Sequence, residues 1–155
     1  MTIRKALEKD IPQMLELLLQ VNRIHHEGRP DLFNLGRKYT EEELKELLEA
    51  QNYVILAAAD ENDVMQGYMF GIIKQLLNDN IRTAVKTFYI DDLCVDENCR
   101  GRHLGKQLLE AAKQAARDLG CYNLTLNVWS LNESARLFYE KCGLSVQKQE
   151  MEIIL

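Results

Sequence analysis

Polar and apolar positions change their period several times along the chain, and each change predicts an element. Residues 2–6 read as a short strand. Ile11, Met14, Leu15, Leu18 and Val21 then recur at helical spacing, with Asp10 placed to cap that helix and Pro12 in its first turn. Gly28 and Pro30 break the pattern. Thr40 with Glu43 three residues on is a capping box, and it opens a short helix through Leu44, Leu47 and Leu48. Residues 53–59 are apolar almost throughout, as a buried strand is. A turn over 60–63 and a second strand over 64–73 make a hairpin with it. Residues 87–95, rich in β-branched and aromatic side chains, form a third strong strand. Leu104, Leu108, Ala112, Ala115 and Leu119 share one side of a helix over 103–119, which Gly120 ends. A strand over 122–128, a helix over 133–141 stopped by Gly143, and a final strand over 144–154 complete the order.

Strands and helices mixed in this way predict an α/β layered architecture around a central sheet. Residues 87–128 have the length of a β-α-β unit. No internal repeat and no Pro, Gly or Ser-rich linker divides residues 1–155, so one domain is expected. Hydrophobic residues make up 46% and charged residues 28%, with 8 Gly and 2 Pro. That excludes disordered and collagen-like classes. The net charge of −5 argues against a protein that holds nucleic acid by neutralising phosphates. Cys94, Cys99, Cys121 and Cys142 contain no C-x-x-C pair, so no zinc site is expected. No signal-peptide pattern opens the sequence, and no run of about 18 apolar residues could span a membrane. A cytoplasmic protein without membrane partners is the expectation.

The most informative stretch lies between the third strand and the helix that follows it. Arg100, Gly101, Arg102, His103, Leu104, Gly105 and Lys106 place four basic side chains and two glycines at a helix N-terminus. The first turn of a helix leaves backbone N–H groups unpaired, and its dipole makes that end electropositive. Such a loop is an anion cradle fit for a pyrophosphate. It is neither G-x-x-x-x-G-K-[ST] nor G-x-G-x-x-G.

Residues 100–105 resemble the R/Q-x-x-G-x-G/A signature of the GNAT superfamily of N-acetyltransferases. The preceding strand through Leu93, Cys94 and Val95 resembles the family's pantetheine-pairing strand. Asn132, Ala135, Phe138, Tyr139 and Gly143 resemble its second motif, N-x-x-A-x-x-F-Y-x-x-x-G-F. The likeness is close over residues 87–146. At one position the sequence departs from the signature: His103 stands where a glycine is usual.

The resemblance implies a GNAT-like mixed sheet of six to seven strands with helices on both faces. It implies transfer of an acetyl group from acetyl-CoA, a cosubstrate, to a primary amine by direct attack. The amine acceptor would be a small molecule or a peptide, and a homodimer is common in the family. Cofactor contacts are expected from Leu93, Cys94, Val95, Arg100, Gly101, Arg102, His103, Leu104, Gly105, Lys106 and Asn132. Tyr139 matches the family's tyrosine near the cofactor sulfur and is the expected general acid. Asp91 matches the acidic residue that serves as base in some members. Strict strand alternation would turn Asp91 and Asp92 to opposite faces, leaving one of them for the site. The alternative function is a non-catalytic acyl-CoA sensor or partner-binding module on the same fold. His25, His26 and Asp31 lack metal-ligand spacing, and no metal is expected.

Overall fold

The computed structural model describes all 155 residues. Strand β1 (Thr2–Lys5) leads through a 3-10 turn into helix α1 (Ile11–Gly28). Helix α2 (Glu41–Glu49) follows a long connection. Then come β2 (Tyr53–Ala59), β3 (Met65–Gln75), β4 (Lys86–Val95), α3 (Leu104–Asp118), β5 (Asn123–Leu126) and α4 (Glu133–Lys141). The five strands form one sheet in the order β1-β2-β3-β4-β5. The first four are antiparallel neighbours, and β5 pairs parallel to β4.

The alternation along each strand divides the core between the two sheet faces. Tyr68, Phe70 and Cys94 pack under α1 and α2 with Met14, Leu17, Leu18 and Leu44. Met69, Phe88 and Ile90 pack under α3 with Leu108, Leu109 and Ala112, and α4 adds Phe138 and Tyr139 at the margin. Helices on both faces agree with expectation. The strand count does not. Residues 144–154 form no strand, and the sheet has five strands rather than six or seven. β-Propensity alone cannot make a strand without a neighbouring edge to pair with, and these residues lie off the sheet.

Thr40 forms the expected capping box: its Oγ1 accepts from the Glu43 amide, and the Glu43 carboxylate accepts from the Thr40 amide. Asp10 does not cap α1 with its side chain. The preceding 3-10 turn directs its carboxylate to the guanidinium of Arg4, at 2.7 and 2.9 Å, and to the Leu7 amide.

The register of β3 on β4 slips at one place. Phe70 pairs with Asp92 and Gly71 with Ile90, so Asp91 is an extra residue on β4. A bulge of this kind breaks strict alternation. A Cβ on Gly71 would lie 2.2 Å from the Phe88 ring, so glycine lets that ring close against β3.

Candidate active site

β4 pairs with β5 only from Thr87 to Ile90. From Asp91 to Val95 it continues with β3 on one side and no β5 neighbour on the other. The chain after Leu126 turns away toward Trp129 and α4. The two parallel strands therefore open a gap bounded by Leu93, Cys94 and Val95, and the loop to α3 begins where β4 ends.

Asp96 opens that loop by accepting from the Asn98 amide at 2.8 Å. Gly101 takes φ +79° and His103 φ +61°, both left-handed. His103 is the residue just before α3, and Gln107 is the first amide to bond back, to the His103 carbonyl. The amides ahead of it have no intrahelical partner, so they and the α3 dipole face outward with Arg100, Arg102 and Lys106 nearby. This geometry fits an anion. The histidine achieves with strain, about 1–2 kcal/mol for an L-residue, the conformation a glycine would take freely. A Cβ on Gly105 would stand 3.3 Å from Phe138 and 3.9 Å from Val95. The first turn of α3 is thus packed close against α4.

Asn132 caps α4, its Oδ1 accepting from the Ala135 amide and the Ser134 hydroxyl. Helix α4 carries Tyr139 beside Phe138, their ring centroids 5.1 Å apart. Burial raises the Tyr139 phenol above its ordinary value, and the nearby Asp92 carboxylate raises it further. Tyr139 therefore keeps its proton at neutral pH.

Both aspartates face the α1–α2 side. Tyr89 sets that parity for Asp91 from upstream, and Cys94, in the α1–α2 core, sets it for Asp92 from downstream. The bulge lets both hold at once, which corrects the reading from alternation. Asp91 accepts from the Tyr39 hydroxyl at 2.6 Å and from Lys38 Nζ at 2.8 Å. Asp92 accepts from the Tyr68 hydroxyl at 3.1 Å. Burial pushes the Asp92 carboxyl up to about 6, with Asp91 adding to the shift against Lys38 and Tyr68. Burial also pushes the Cys94 thiol up to about 12, so it stays unionised.

The sequence offered no signal for Lys38, Tyr39 or Tyr68. Lys38 and Tyr39 reach Asp91 across more than fifty positions, and Tyr68 looks like any strand aromatic. His25 stacks on Phe33, which meets Trp129 edge-on, both with centroids 5.1 Å apart. His26 Nδ1 lies 2.7 Å from the Phe33 carbonyl, and Asp31 is held by Arg29. These groups do not converge on one point.

A parallel β4–α3–β5 unit thus opens at its C-terminal end, with the N-terminus of α3 and its basic loop in the opening. The acetyltransferase (GNAT) family model matches residues 18–144, and the chain belongs to that family. A glucosamine 6-phosphate N-acetyltransferase of Arabidopsis thaliana is 35% identical over 71 residues, 46% of each chain. One from Dictyostelium discoideum is 35% identical over 75 residues, 48% of this chain and 46% of its own. The matches thus span about half the length of these curated relatives. A mutant of the BH1408 protein from Bacillus halodurans superposes with a TM-score of 0.96 at 29% identity, over 100% of this chain and 99% of its own. Glucosamine-6-phosphate N-acetyltransferase from Arabidopsis thaliana superposes at 0.69 and 26% identity, over 99% and 97%.

Proposed function

We propose that this chain is an acetyl-CoA-dependent N-acetyltransferase acting on a primary amine. The observation that carries the reading is the gap beside β4, which has an amide-bearing basic loop at its end and Tyr139 and Asp92 within each other's field. Acetyl-CoA supplies the acetyl group as an activated thioester. The free amides at the start of α3, with Arg100, Arg102 and Lys106, hold its pyrophosphate. Leu93, Cys94 and Val95 offer the strand backbone that its pantetheine arm follows.

Asp92, rather than Asp91, takes the proton from the acceptor ammonium. A carboxylate raised to about 6 is a stronger base than an ordinary one and is still ionised at neutral pH. Asp91 is engaged by Lys38 and Tyr39 and holds the α1–α2 connection against β4. The freed amine lone pair attacks the thioester carbonyl. As the carbon–sulfur bond breaks, Tyr139 gives its phenolic proton to the departing sulfur, and the second proton released by the acylated nitrogen returns to the phenolate through solvent. Asn132 shapes the site by starting α4, which positions Tyr139.

The acceptor follows from chemistry only as far as a primary amine. Glucosamine 6-phosphate is the first compound to try, because relatives sharing about half their length with this chain carry that name. A cationic polyamine is the second, favoured by the net charge of −5. Calorimetric titration with acetyl-CoA, CoA and ATP, followed by thiol release on an amine panel, tests the proposal. Micromolar binding of acetyl-CoA over ATP, with turnover on an amine, supports it. Binding without turnover on any amine turns the reading to the acyl-CoA sensor, and absence of binding removes both.

A further inference from the structure

Lys38 is a primary amine of this chain that stands where an acceptor amine is needed. Asp91 is the extra residue of β4 at the bulge. It has no partner on β3, and it follows Ile90, the last residue of β4 paired with β5. The gap beside β4 therefore begins at Asp91. Lys38 Nζ lies 3.3 Å from the Asp91 carbonyl and 2.8 Å from its carboxylate. The side chain is still 43% exposed, so it is held at its tip without being sealed.

Tyr39 fixes the reach of its neighbour. Its hydroxyl donates to the same Asp91 carboxylate at 2.6 Å, and its ring stacks on Phe70 with centroids 5.8 Å apart. The electrostatics agree with this placement. After burial, the charge of Lys38 is the next influence on both Asp92 of β4 and His25 of α1. Lys38 thus sits between the end of α1 and the bulge. Lys74 sits elsewhere, its Nζ 3.6 Å over the Tyr89 ring, where β4 is still paired with β5.

An acetyl-CoA with its pyrophosphate at the start of α3 runs its pantetheine arm past Val95, Cys94 and Leu93, against the direction of β4. The thioester at the far end of that arm is directed to the Asp91 end of the gap. We propose that Lys38 is an internal acceptor, acetylated at Nζ by acetyl-CoA bound to the same chain when no external amine fills the site. The inference rests on the acetyl-CoA reading above.

The ammonium gives one proton to the Asp91 carboxylate it already contacts, which passes it to water. The Nζ lone pair attacks the thioester carbon, a nitrogen–carbon bond forms, and the carbon–sulfur bond breaks. Tyr139 protonates the departing sulfur, and the second proton of the acylated nitrogen returns to the phenolate through solvent. The products are CoA, Lys38 acetylated at Nζ and one released proton. An amide carries no charge, so the ion pair with Asp91 is lost and the α1–α2 connection loosens from β4.

Lys45 on α2 is a matched control, since its Nζ pairs with Glu41 at the same 2.8 Å and its side chain is 45% exposed. The test is peptide mass mapping of the full chain after incubation with saturating acetyl-CoA and no added amine. Lys38 should be acetylated at least tenfold faster than Lys45. That rate should not change on dilution, because donor and acceptor share one chain. Tyr139→Phe should bring Lys38 down to the Lys45 level. Hydrogen exchange gives a readout apart from turnover. Lys38→Gln, neutral like the acetylated side chain, should speed exchange in residues 32–40 at least tenfold over Lys38→Arg, which keeps the cation on Asp91. Acetyl-CoA binding with Lys38 acetylated no faster than Lys45 overturns the proposal and leaves the proposed function standing. A rate that falls with dilution overturns it as transfer between chains. A rate unchanged in Tyr139→Phe overturns it by taking the reaction away from this site. Equal exchange in the two Lys38 variants overturns the loosening of the connection. Absence of acetyl-CoA binding removes the function and this inference together.

Discussion

Asp92 by its charge and His103 by its conformation oppose stability, and both lie at the candidate site. Asp92 holds its proton more tightly folded than unfolded, because burial disfavours the carboxylate. The sign follows directly. Between the ordinary carboxylate value near 4 and about 6, the folded chain binds the extra proton, so stability falls as pH rises through that window. Asp92→Asn should therefore stabilise the fold by about 1–3 kcal/mol at pH 8 and hardly at all below pH 4, as melting temperatures across pH will read. The same variant should lower kcat/KM about 100-fold or more and abolish an acid limb near pH 6. Tyr139→Phe should lower kcat by a similar factor while the acetyl-CoA dissociation constant stays within twofold. A full rate in that variant on a good acceptor would remove Tyr139 from the mechanism. His103→Gly releases the left-handed strain at φ +61°. It should raise stability by about 0.5–1 kcal/mol, since glycine's larger unfolded-state entropy offsets part of the relief.

At the scale of elements, the site depends on how α3 and α4 meet. Gly105 lets the first turn of α3 approach Phe138, the neighbour of Tyr139 on α4. Gly105→Val should destabilise by about 1–3 kcal/mol through overpacking. It should also lower kcat more than it weakens acetyl-CoA binding, because Tyr139 shifts with its helix. Steady-state kinetics alongside calorimetry will separate the two. Most elements were legible from periodicity: α1, α2, α3 and α4 and all five strands lie within a few residues of their predicted places. Local signals marked them, such as the Thr40–Glu43 capping box and the left-handed Gly120 and Gly143 that follow α3 and α4. The bulge at Asp91 was not legible, because a register slip depends on the partner strand and on Phe88 closing over Gly71.

For the whole molecule, ligand binding and folding are linked. Acetyl-CoA at 100 times its dissociation constant should add about 2.7 kcal/mol. For a chain of this size that raises the melting temperature by roughly 5–10 °C, and ATP at the same concentration should leave it unchanged. The sequence by itself determined the order of elements, the phosphate-type loop, its family likeness and the presence of Tyr139, because periodicity, caps and short motifs are local. Tertiary structure alone decided three things. It set the strand count, because a strand exists only where it pairs with an edge and residues 144–154 lie unpaired off the sheet. It turned Asp91 and Asp92 to one face and joined Asp91 to Lys38 and Tyr39. It raised Asp92 above an ordinary carboxylate, because desolvation is a property of what surrounds a residue and not of its neighbours in sequence.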